Sequence, residues 1–107
     1  MNFEIFKLEL ETHRLNLIRR LNGMKQRCNN KNAPAFKYWG AKGIRVCKEW
    51  AIDPDSFVTW ALFNGFFPKS DIHRLNHHKD YSPDNCVFLD KITHAKFHAQ
   101  LRREWML

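Results

Sequence analysis

Apolar residues recur with a helical period early in the chain. Leu17, Leu21, Met24 and Cys28 fall at i, i+4, i+7 and i+11, which predicts a helix from about His13 to Cys28 with one buried stripe. Thr12 is its expected N-cap, and Asn29, Asn30, Lys31 and Asn32, followed by Pro34, end it. Upstream, Phe6, Leu8 and Leu10 alternate with Lys7, Glu9 and Glu11, so residues 3–11 read as a short strand or an extended arm. Downstream, Gly40 and Gly43 bracket a tight turn, with Gly43 expected at positive φ. Ile44, Val46 and Cys47 suggest a short strand, and Tyr38, Trp39 and Trp50 read as core anchors. Asp53 and Pro54 open a helix over Asp55–Asn64, with Phe57, Trp60, Ala61 and Leu62 inward and Gly65 closing it. The last third reads as a strand Ile72–Leu75, a turn-rich loop His77–Asp84, a strand Asn85–Leu89, and a helix capped by Thr93. The expected class is α+β, in one small domain over residues 1–107.

Composition narrows the class. Nine Phe, four Trp and two Tyr within 44% hydrophobic content describe a folded chain rather than a disordered tail. The 18 Lys and Arg against 11 Asp and Glu leave a formal charge of +7, which suits a polyanionic partner. The cations that flank the first helix and the glycine turn are the candidate nucleic-acid contacts: Arg19, Arg20, Lys25, Arg27, Lys37, Lys42 and Arg45, with Lys79 in the later loop. Charge alone does not distinguish DNA from RNA. Cys28, Cys47 and Cys86 are odd in number and lack C-x-x-C spacing, so they read as reduced thiols. No apolar run reaches the ~20 residues of a membrane span, and acids interrupt the apolar start, so no membrane partner and a cytoplasmic location are expected.

The candidate chemistry lies in DIHRLNHHKDYSPDNCVFLDKITHAKFH, Asp71 to His98, which holds five of the six histidines. His94 and His98 are four apart and so share one helix face. A hairpin carrying His73 over that face brings three imidazoles to one point, a metal site in outline. Imidazole ligands favour zinc or nickel over magnesium, which prefers oxygen.

This stretch resembles the HNH, or ββα-metal, nuclease motif in its colicin-type branch. The carriers are the doublet His73-Arg74, Asn85 before the second strand, and His94-Ala-Lys-Phe-His98 on the helix. Upstream, NGMKQRCNN, KYWGAKGIRVCKEW, the Phe57-x-x-Trp60 helix and DYSPDNC (Asp80 to Cys86) resemble phage-encoded HNH proteins, homing-type endonucleases included. The likeness spans roughly residues 14 to 98.

The resemblance implies a DNA endonuclease of a bacterial or phage-infected cell. Residues 1–67 would form a basic DNA-contacting helical segment and residues 68–107 the ββα-metal motif. His73, His94 and His98 would hold one divalent cation (Zn, Ni, Mn or Mg), leaving positions open for water and a scissile phosphate. Asn85 would hydrogen-bond backbone across the loop, and Asp71, on the same strand face as His73, would orient an imidazole. One residue departs from the pattern. Where active members carry the histidine that activates water stands Arg74, which is no base near neutral pH. It could instead hold the phosphate, with His77 or His78 as a substitute base. The alternative is a catalytically degenerate DNA-binding or inhibitory phage protein on the same scaffold.

Overall fold

The computed structural model describes residues 2–105, apart from the side chains of residues 97, 98, 101, 102, 104 and 105. Asn2 begins the first helix, its Oδ1 accepting from the Glu4 N–H at 3.0 Å. Helix α1 then runs unbroken over Phe3–Asn29. The strand or arm expected at residues 3–11 is therefore helix. Residues 2–22 hold no Gly or Pro and are rich in Leu, Glu and Arg, so helical propensity outweighs a six-residue alternation. Thr12 is correspondingly no cap. It sits inside the helix, its hydroxyl donating to the Leu8 carbonyl at 2.9 Å. Asn30 closes the helix, its N–H donating to the Gln26 carbonyl.

The periodic stripe is the core. Leu17, Leu21, Met24 and Cys28 are buried against Ile44, Trp50, Phe57, Val58 and Ala61. After α1 the chain makes two 3-10 turns, Pro34–Tyr38 and Gly40–Lys42. Gly40 is required by close approach: a Cβ there would lie 2.1 Å from the Phe36 ring and 2.2 Å from the Cys28 carbonyl oxygen. Gly43 has φ 84°, the left-handed conformation expected of it. Of the aromatic anchors, Trp50 is buried and Trp39 half-buried, but Tyr38 is exposed. The strand expected at Ile44–Cys47 is reduced to one parallel bridge between Val46 and Tyr81.

Helix α2 (Lys48–Ile52) was not foreseen, while α3 (Pro54–Phe63) starts as expected, with Asp53 capping and Pro54 in the first turn. Val58 rather than Leu62 faces inward; Leu62 is exposed. Strands β1 (Ser70–Arg74) and β2 (Cys86–Asp90) form an antiparallel pair that sets His73 opposite Val87 and Arg74 opposite Cys86. Helix α4 (Lys91–Trp105) follows directly. Its N-cap is Asp90, not Thr93. Asp90 Oδ1 accepts from the Thr93 N–H at 2.8 Å and Oδ2 from the Thr93 hydroxyl at 2.6 Å, bonds that hold this exposed carboxyl below its ordinary range. A carboxylate at the start of a helix also meets the favourable end of its dipole.

Alternation along the strands gives the hairpin two different faces. Ile72 and Phe88 pack on the core, Phe88 meeting Trp60 and Phe66 with ring centroids 5.5 and 5.6 Å apart. Asp71 and His73 turn the other way, toward α4, which packs on both strands. The result is a small α+β fold in which a two-stranded sheet lies between the helical core and the last helix. No helix among the described residues is long and apolar enough to cross a membrane.

Candidate metal and loop site

His73, from β1, and His94, from the first turn of α4, come together on the outer face of the hairpin. Their ring centroids are 5.0 Å apart and the ring planes cross at 76°. His73 is 7% exposed, so little water reaches it. The Asp71 carboxylate, two residues back on the same strand face, lies with Oδ2 3.4 Å from His94 Nδ1. Its other oxygen is 3.5 Å from Lys91 Nζ, an ion pair the sequence did not suggest. A tautomer of His94 with its proton on Nδ1, toward the carboxylate, would carry its lone pair on Nε2.

The spacing of these rings can be tested against a shared ion. Two imidazoles on one tetrahedral zinc, at about 2 Å from each nitrogen, have ring centres about 5 Å apart. The observed separation matches that arrangement. Among the described residues no group of three His, Cys, Asp or Glu is disposed to hold a metal ion. The third expected ligand, His98, lies outside the described side chains. What the described side chains show is a pair of neighbouring imidazoles with a carboxylate beside one of them.

Asn85 is buried and spans the loop between the strands. Its Oδ1 accepts from the Asn76 N–H at 2.8 Å, while Nδ2 donates to the Asn76 carbonyl at 2.9 Å and the Asp80 carbonyl at 3.0 Å. One side chain thus bonds three backbone groups of the loop, the Asn76 carbonyl being shared with the Lys79 N–H. The Asp80 side chain carries the loop onward, accepting from the Arg45 N–H at 2.8 Å beside the Gly43 turn.

Arg74 does not point with His73. Its guanidinium donates to the carbonyls of His77 (2.8 Å) and Lys79 (2.7 Å) and sits 5.2 Å from the centre of the Tyr81 ring. It is a second clamp on the loop, on the opposite side of the hairpin from the His73–His94 pair. The loop so held presents His77 and His78, whose ring centroids are 4.2 Å apart. Partial burial lowers the His77 pKa from its ordinary value, and the positive charges of His78, Arg74 and Lys42 lower it further. At neutral pH His77 is thus a neutral imidazole on a basic loop.

The expected nucleic-acid cations divide into two groups. Arg20 is structural: it donates to the carbonyls of Ser70 and Pro68 and lies over Phe66, fastening α1 to the start of β1. Arg45 donates to the carbonyls of Cys28, Gly40 and Ile44. Arg27 bonds the Tyr81 hydroxyl at 3.2 Å and lies against the Trp39 and Tyr81 rings, and Lys25 donates to the Ala51 carbonyl. Arg19, Lys37, Lys42 and Lys79 remain on the surface. The buried Tyr81 ring, flanked by the guanidinium groups of Arg27 and Arg74, was missed because a tyrosine after an aspartate carries no signal of burial.

The three cysteines are free, and burial raises the thiol pKa of each, that of Cys86 to about 11. They are neutral thiols at neutral pH. Comparison with family models, with curated proteins and with solved structures finds no match to this chain, so the site rests on its own geometry.

Proposed function

We propose that this chain is a metal-dependent endonuclease of the ββα-metal, or HNH, type acting on DNA. The observation that carries the reading is the His73–His94 pair, 5.0 Å apart on the face where an antiparallel hairpin meets a helix, with Asp71 behind His94. His73 and His94, with His98 as third ligand, would hold the ion. When bound, it supplies positive charge beside the phosphoryl oxygens and the leaving oxygen. The protein's own contributions follow from its side chains. Asp71 orients the His94 ring, Asn85 holds the loop, and the neutral His77 on that loop would have to swing toward the pair to accept the proton of the attacking water. Lys42 and Lys79, with Lys37 and Arg19 further along the surface, would contact phosphates.

A second reading, a DNA-binding protein without catalysis, is favoured by one observation: the guanidinium of Arg74 is spent on the His77 and Lys79 carbonyls. A plasmid-nicking assay across Mg²⁺, Mn²⁺, Ni²⁺ and Zn²⁺ separates the two. The nuclease reading expects nicking that His94→Ala and His98→Ala abolish while DNA binding persists. Salt-sensitive binding with no nicking under any metal would leave the binding module.

A further inference from the structure

We infer that Tyr38 is a stacking platform for an unpaired nucleobase, so that this chain prefers DNA with unpaired bases to a fully paired duplex. The inference deepens the reading of DNA as partner and rests on it, but it involves neither a metal nor a cleavage step.

The local sequence holds the ring out. Pro34 starts the 3-10 turn Pro34–Tyr38, and the Trp39 N–H closes it on the Phe36 carbonyl at 3.1 Å. The Trp39 carbonyl in turn accepts from the N–H groups of Lys42 and Ile44, each at 3.0 Å. Phe36 turns in against Gly40, and Trp39 packs on the core. Between these two anchored rings Tyr38 is 56% exposed. With its backbone pinned on both sides and only two side-chain torsions, it has little freedom left for a stacked partner to remove. Trp39 crosses the Tyr38 ring at 87°, with centroids 6.4 Å apart, so it does not lie flat on either face. The Lys37 ammonium, 5.0 Å from the ring centre, covers at most one.

Charge names the partner. From Thr12 to Lys48 the sequence holds ten Lys and Arg and no Asp or Glu. Lys37 and Lys42, on either side of Tyr38 in that run, are exposed. The same surface continues to the hairpin loop, since Lys42 is near enough to His77 for its charge to act on that imidazole. Arg27 joins the two, its guanidinium 5.3 Å from the centre of the Trp39 ring and 5.9 Å from that of Tyr81. The acids on this side, Asp80 and Asp84, belong to the loop, and Asp80 has an oxygen bonded to the Arg45 N–H.

An exposed aromatic ring among cations fits a polyanion that carries flat rings. In a paired duplex each base is already stacked within the helix and out of reach, so the phenol meets a partner only where bases are unpaired. The flanking phosphates then go to the lysines.

Fluorescence anisotropy in EDTA, which stops metal-dependent cleavage, tests this on a duplex carrying a short unpaired bulge and on the fully paired duplex of the same sequence. The wild-type protein should bind the bulged DNA about 5–150-fold more tightly, the range that one stacked base supplies. Tyr38→Ala should lose that preference while its melting temperature and its affinity for the paired duplex stay unchanged, and Tyr38→Trp should keep it. Equal affinity of the wild-type protein for the two DNAs, or a preference that survives Tyr38→Ala, overturns the inference and leaves the nuclease reading standing. Binding to neither DNA overturns both.

Discussion

Asn85 and Asn76 are joined by two hydrogen bonds, 2.8 and 2.9 Å long, through which one carboxamide satisfies both backbone groups of a residue nine positions earlier. The loop's shape depends on that pair. Asn85→Ala leaves the Asn76 N–H and the Asn76 and Asp80 carbonyls without this partner, at a cost of about 2–4 kcal/mol. Urea unfolding measures it. Asn85→Asp should do no better, because the carboxylate would face two carbonyl oxygens.

The Asp71 carboxylate behind His94 predicts a graded effect on metal binding. Asp71→Asn should weaken Zn²⁺ or Ni²⁺ affinity by about 10–100-fold, read by competition with a chromophoric chelator. Affinity equal to that of the wild type would mean that this contact orients nothing.

Arg74 is a clamp, and its replacement tests that directly. Arg74→His should bring no gain in nicking, since the side chain at this position faces away from His73. It should also cost about 1–3 kcal/mol through the lost bonds to the loop. Hydrogen exchange would show the amides of residues 77–80 opening faster. A rise in activity would place residue 74 within reach of the reaction.

His77 sets the expected pH dependence. Its folded pKa is depressed, chiefly by desolvation, so the folded state binds this proton less well than the unfolded chain does. Stability from this group is present above the ordinary histidine value, about 6.5, and falls as pH drops below it. A base must be neutral, so kcat/KM should rise with pH to a plateau, with its inflection below that value. His77→Gln should remove the inflection and lower the plateau by about 10²–10⁴-fold, while His78→Gln retains the inflection. A pH profile unchanged in His77→Gln would leave this imidazole without a catalytic part.

Surface and structural cations should separate cleanly. Lys42→Gln and Lys79→Gln should each reduce the slope of log affinity against log salt by about 1 with no change in melting temperature. Arg45→Gln should instead unfold the protein at lower urea, because three carbonyls lose the bonds this guanidinium makes. Loss of stability in the lysine variants would mean that they, too, hold the fold.

Several parts of this molecule were legible in its sequence because they are local. The stripe Leu17, Leu21, Met24 and Cys28, the left-handed Gly43, the Asp53–Pro54 helix start and the pairing of two short strands follow from periodicity and backbone preference, which act over a few residues. The chain also declared two imidazoles within reach of one another, since strand and helix spacing set which residues share a face. Tertiary contact decided the rest. Only packing shows that Arg20, Arg27 and Arg45 serve buried carbonyls and rings rather than a ligand, because a guanidinium looks the same in sequence whether it meets a phosphate or a backbone oxygen. Likewise the strand pattern of residues 3–11 gave way to a helix once it was continuous with one already anchored in the core, and Arg74 was turned from His73 by the pleat of the strand they share.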